Sequence, residues 1–96
     1  MSDITTLRTQ IDEVDEQLVV LLNARAAHAL AIGRLKEQAH EAVYQPVREA
    51  AVLAHVRSVN RGPLDDNAVT RLFERIIDEA RRLERLAAHP EPGTGR

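Results

Sequence analysis

The sequence predicts an all-α chain, a three-helix protomer with one long N-terminal helix. Three observations lead there. Ala, Leu, Arg and Glu are abundant and β-branched runs are few, a composition of good helix formers. Apolar residues recur at helical spacing through three segments. Between those segments stand the breakers, Pro46 in one place and Gly62 with Pro63 in another.

The first helix is expected from about Ser2 to about Ala39. Its apolar residues are Ile4, Leu7, Ile11, Val14, Leu18, Leu21, Ile32, Leu35 and Ala39, a seven-residue repeat that makes one seam. Ser2 or Asp3 caps its start. Pro46 biases Gln45 out of helical geometry and suits the first turn of a second helix, Pro46 to Val59. There Val47, Ala51, Val52 and Val56 are expected inward. After the loop "NRGPLDD", Asp65 or Asp66 caps a third helix running to about Ala88. Its stripe is Val69, Leu72, Phe73, Ile76, Ile77, Ala80 and Leu83. The closing "HPEPGTGR" reads as a frayed tail, so residues 1–88 form one domain and 89–96 a disordered end.

The lengths carry a further expectation. A helix of 36 residues is roughly 54 Å long, whereas a compact domain of this size has a radius of gyration of about 13 Å. Two shorter helices cannot cover such a seam. The expected remedy is a second copy, giving an intertwined helical homodimer. The alternative is a kink near Gly33 that folds the long helix on itself.

Composition narrows the function. Hydrophobic residues make up 44% and charged residues 29% of the 96, as in ordinary globular chains. A net charge of −2 argues against a nucleic-acid partner held by phosphate neutralisation. There is no cysteine, hence no disulfide framework or thiolate metal site. The four histidines, His28, His40, His55 and His89, lack metal-ligand spacing. No apolar run is expected to reach membrane-spanning length and no signal-peptide core opens the chain, so a cytoplasmic protein is the default.

Several charges fall where apolar residues belong. The repeat through Ile4, Ile11 and Leu18 lands on Arg25 before reaching Ile32, and the series Leu7, Val14, Leu21 lands on His28. Lys36 shares the face of Arg25, three turns on and about 20° around the helix. Glu84 follows Ala80 by four residues and Ile77 by seven, on the apolar face of the third helix. Arg48 and Glu49 stand at the start of the second. One reading is structural, with buried ion pairs such as Arg25 with Glu84. The other is a pocket for a small dianion. Arg8 lies 17 residues before Arg25, about 25 Å along the axis, so it joins such a pocket only from a partner chain; otherwise it is a solvated charge.

Four pieces together resemble the all-helical (type II) chorismate mutases: L-R-x-x-I-D-x-x-D at Leu7 to Asp15, L-L-x-x-R at Leu21 to Arg25, I-G-x-x-K at Ile32 to Lys36, and R-E at Arg48 and Glu49. The resemblance covers about residues 4–86. It implies three-helix protomers interlocked as homodimers with shared sites, and a cofactor-free Claisen rearrangement of chorismate to prephenate. By position it implies that Arg25 and the partner's Arg8 hold the carboxylates, and that Lys36 meets the ether oxygen and a carboxylate. It further implies that Glu49 holds the ring hydroxyl with Arg48 in support, that Glu84 lies beside the ether oxygen, and that Ile32 packs on the ring. An activating partner enzyme of the aromatic pathway is a further implied partner.

The chemistry suits these residues. A unimolecular pericyclic reaction needs no nucleophile or proton shuttle, and no Ser-His-Asp or Cys-His pattern is present. Confinement and cations beside the breaking C–O bond are what help. The sequence also departs from the family. Gln45 stands where many relatives have Asp, Ala80 replaces a hydroxyl residue used by some, and Glu84 stands where some have Gln. The changes at Gln45 and Glu84 also resemble 4-amino-4-deoxychorismate mutases, and isochorismate-pyruvate lyase, which shares the fold, is a third reading. A non-enzymatic helical dimerisation module is the opposed class.

Overall fold

The computed structural model describes residues 3–42 and 45–88. Three helices follow one another: α1 (Ile4–Gln38), α2 (Pro46–Val59) and α3 (Asp66–Ala88). The tail expected over 89–96 and the alternative cap Ser2 lie outside the described residues.

Local chemistry fixes the helix ends. Asp3 caps α1, its carboxylate accepting the Thr6 backbone N–H at 2.8 Å. That hydrogen bond holds the Asp3 carboxyl below the usual carboxylate range. At the other end His40 takes a left-handed φ of 59°. Its N–H reaches the Glu37 carbonyl at 3.2 Å and the Glu41 N–H reaches the Lys36 carbonyl at 2.7 Å, a Schellman closure without the usual glycine. Pro46 opens α2 at the first turn. Asp65 caps α3, accepting the Ala68 N–H at 2.7 Å. Between α2 and α3, Gly62 turns with φ 73°, a conformation suited to glycine, and donates to Asn60 Oδ1 at 3.1 Å.

Helices α1 and α2 both pack on α3 and, among the described residues, not on each other. The core is correspondingly thin, and Ile77 is the one buried hydrophobic residue described. α1 runs unbroken through Gly33, which removes the folded-back alternative. Its N-terminal half projects free of the other helices, with Ile11 58% and Leu18 49% exposed. The radius of gyration is 16.9 Å and the long dimension 56 Å, against about 13 Å for a compact chain of this size.

Three sequence expectations need correction. Val47 is 85% exposed and Ala51 is exposed, while Glu49, Val52, Leu53 and Val56 are half-buried. Apolar residues circle α2, so periodicity does not say which side meets α3. On α3, Leu72 is 54% and Leu83 37% exposed; the stripe is wider than the face its two neighbours cover. Finally, α1 does carry a stretch with mean hydropathy 1.4, long and apolar enough to cross a membrane. Val19, Val20 and Leu22 stand beside seam residues Leu18 and Leu21, making this part of α1 apolar all round. Such a helix calls for burial on every side.

Candidate active site

A cleft of about 410 Å³ opens between α1 and α2, with α3 as its floor. Sites for small organic ligands begin at roughly 300 Å³. From α1 come Arg25, His28, Ala29, Ile32 and Lys36, spaced three, four, seven and eleven residues apart and therefore on one face. From the start of α2 come Gln45, Arg48, Glu49 and Val52. The floor is Ile77, Ala80, Arg81 and Glu84.

Of the residues singled out from sequence, Arg25, Ile32, Lys36, Gln45, Arg48, Glu49, Ala80 and Glu84 are brought together here. Arg8 is not. It sits on the exposed arm of α1, outside the cleft lining of its own chain. Arg81 is the residue that sequence reasoning missed. It follows Ile77 by four residues, the spacing that marks Glu84, but stands in the run "ARRLERL", where the sequence alone does not say which arginine turns inward. His28 is visible in the sequence as a break in the seam.

Four cationic side chains thus face two carboxyl groups. The structural reading of the charges, an Arg25–Glu84 ion pair, is not formed. Among the described residues Arg25, Lys36 and Arg48 have no salt-bridge partner, whereas Arg81 Nε lies 3.2 Å from Glu49 Oε2. Glu84 is in a different situation. Burial pushes its pKa above the ordinary carboxylate value, and the positive charge of Lys36, which pulls the other way, does not overcome that. Its Oε2 is buried without a hydrogen-bond partner among the described residues. Gly33 explains how α3 comes so near: a Cβ there would stand 3.2 Å from Glu84 Cγ. Gln45 Nε2 donates at 3.4 Å to the Ala42 carbonyl, leaving its oxygen available to a ligand.

The protomer is all-helical, and its cleft sets four cationic side chains around a carboxyl whose pKa burial raises. This chain belongs to the chorismate mutase type II family, whose model matches residues 7–85. It is 47% identical over 78 residues to the bifunctional chorismate mutase/prephenate dehydratase of Neisseria gonorrhoeae and 42% identical over 83 residues to that of Stutzerimonas stutzeri. Each match takes in 81% of this chain, and the chain spans only 21% and 23% of those relatives' lengths. Among solved structures, a chorismate mutase of Thermus thermophilus (Form II) superposes with a TM-score of 0.83 at 33% identity, covering 84% of this chain and 92% of that one.

Proposed function

We propose that this protein is a cofactor-free isomerase that rearranges chorismate to prephenate. The observation that carries the proposal is the cleft's charge arrangement. Arg25, Lys36 and Arg48, without salt-bridge partners among the described residues, face a carboxyl that burial favours in its neutral form. Arginine forks suit the substrate's carboxylates. Lys36 offers positive charge to the ether oxygen as the C–O bond breaks. An ether oxygen only accepts, so Glu84 assists it as a protonated donor. Ile32, Val52 and Ile77 supply apolar walls that hold the ring in its reactive conformer. Glu49, with Gln45 beside it, receives the ring hydroxyl.

In this proposal the working unit is a homodimer. The naked arm of α1 supports it, because a contiguous apolar surface of that length in water marks an interaction face. Paired arms would carry the partner's Arg8 toward the cleft. A cytoplasmic location, and an alliance with a later enzyme of the aromatic pathway like that fused in the bifunctional relatives, belong to the same proposal.

The test follows loss of chorismate absorbance with purified protein, and then 4-amino-4-deoxychorismate and isochorismate under the same conditions. Turnover of chorismate alone is expected. Turnover of only one of the other two would reassign the substrate. No turnover of any, in a folded dimer, would leave a dimerisation module.

A further inference from the structure

Helix α2 carries three polar groups of the cleft on its first turn, yet among the described residues α1 does not pack against it. Its position therefore rests on α3. The polar ties between α2 and α3 fall at two ends of an antiparallel pair. At the far end Asn60 Nδ2 donates to Asp66 Oδ1 at 2.9 Å, and Arg57 Nη1 to Thr70 Oγ1 at 3.4 Å. At the cleft end stands Arg81. Its Nε lies 3.2 Å from Glu49 Oε2, while its Nη2 donates to Asp78 Oδ1 at 2.5 Å.

We infer that Arg81 is a positioning residue. It pins the first turn of α2 to α3 through Glu49 and so fixes where Gln45, Arg48 and Glu49 stand across the cleft from Lys36. The geometry supports this over a direct role in binding a substrate carboxylate. Two edges of the guanidinium already face carboxylates: Nη2 donates a hydrogen bond to Asp78 of α3, and Nε lies against Glu49 of α2 as an ion pair without a hydrogen bond. Asp78 is more exposed than Glu49, with its side chain 57% against 23% accessible. It therefore serves as an outer brace that turns the Nε edge toward Glu49. A planar fork held at both sides is stiffer than a single contact, which is what an anchor requires. Glu49 gains from this in a second way. A carboxylate facing inward beside an apolar wall needs a partner charge, and with Arg81 present it can accept a hydroxyl without being drawn to Arg48 or Lys36.

The inference rests on the proposed mutase activity for its kinetic arm only. Arg81→Met keeps the packing of the stem and removes the fork. Hydrogen exchange on the whole protein should then rise about tenfold or more at the amides of residues 49–52, with residues 57–60 unchanged. Uniform acceleration, or none, would overturn the pin whether or not the protein is a mutase. In the kinetic arm Arg81→Met should lower kcat/KM by about tenfold, a coupling of the size found between residues in direct contact. The loss should largely vanish in a Glu49→Gln background and persist in a Lys36→Ala background. Equal losses in both would mean that Arg81 meets the substrate itself, against the inference. Arg81→Lys should recover part of the exchange protection. If Arg81→Met does not fold, Arg81→Lys carries both arms with smaller effects of the same sign, and wild-type behaviour in both would count against the pin.

Discussion

Gly33 of α1 and Glu84 of α3 meet so closely that a Cβ on residue 33 would lie 3.2 Å from Glu84 Cγ and 3.3 Å from its Oε2. The contact sets the depth at which the Glu84 carboxyl enters the cleft. Gly33→Ala would gain about 1 kcal/mol of helix propensity and lose a comparable amount to crowding, since overpacking costs about 1–3 kcal/mol. The urea midpoint should therefore move little. The carboxyl, however, must shift by a few tenths of an ångström. In a site where about 1 Å of misplacement costs roughly a hundredfold, kcat should fall severalfold. An unchanged kcat would mean that the place of Glu84 does not matter to the reaction.

Glu84 also makes a stability prediction. Its folded-state pKa is raised above the ordinary value of 4.5. In the window just above that value the folded chain holds a proton that the unfolded chain has released, so stability falls as pH rises through it. Glu84→Gln cannot ionise. The difference in urea midpoint, variant minus wild type, should grow in the variant's favour as pH rises above the ordinary carboxylate value of 4.5. The other titrating groups are common to both proteins and cancel. A difference independent of pH would contradict a raised pKa. In activity, kcat/KM of the wild type should drop as pH rises through the site pKa, and the Gln variant should lose most of that dependence.

Much of this was legible in the sequence, and the illegible parts share a cause. The ends of α2 and α3 follow from Pro46 and the Asp65 cap. Arg25, Lys36 and Glu84 stand out because each is a charge where the helical repeat wants an apolar residue. Arg81 carries the same spacing signal but is one arginine among several. Only the packing of α2 on α3 selects it. Val47 and Ala51 face solvent although both are apolar, because α2 is apolar all round and no period marks its inner face. The exposed seam of α1 follows from helix length alone, because two shorter helices do not reach along it.

His40 offers a test of local strain. Its left-handed backbone costs an L-residue roughly 1–2 kcal/mol, while glycine would give back about 0.5–1 kcal/mol through its freer unfolded state. His40→Gly should therefore stabilise the protein by about 0.5 kcal/mol in urea titration, with kcat unchanged. Destabilisation would mean that the imidazole makes a contact that outweighs the strain.

Lys36 should matter to rate far more than to fold. It is half-buried, lines the cleft and has no salt-bridge partner among the described residues. Removing a charge that strengthens its contact in the transition state costs about 10²–10³ in rate. Lys36→Ala should show that loss in kcat with an unchanged helical circular dichroism signal. A twofold loss would assign the ether contact elsewhere.

Arg8 decides whether the site is shared between chains. On α1 it lies 17 residues from Arg25, about 25 Å along the axis, so one small dianion cannot touch both within one protomer. Arg8→Ala and Arg25→Ala chains should each be nearly inactive alone. If partner arms cross, a mixed dimer rebuilds one intact site and concentrates both defects in the other. Refolding equal amounts together puts half the chains in mixed dimers, each with one of two sites intact. Activity should therefore return to about a quarter of wild type. Recovery should track the heterodimer fraction measured by native mass spectrometry. Heterodimers without activity would place Arg8 outside the site, and a monomer at working concentration would remove the shared site altogether.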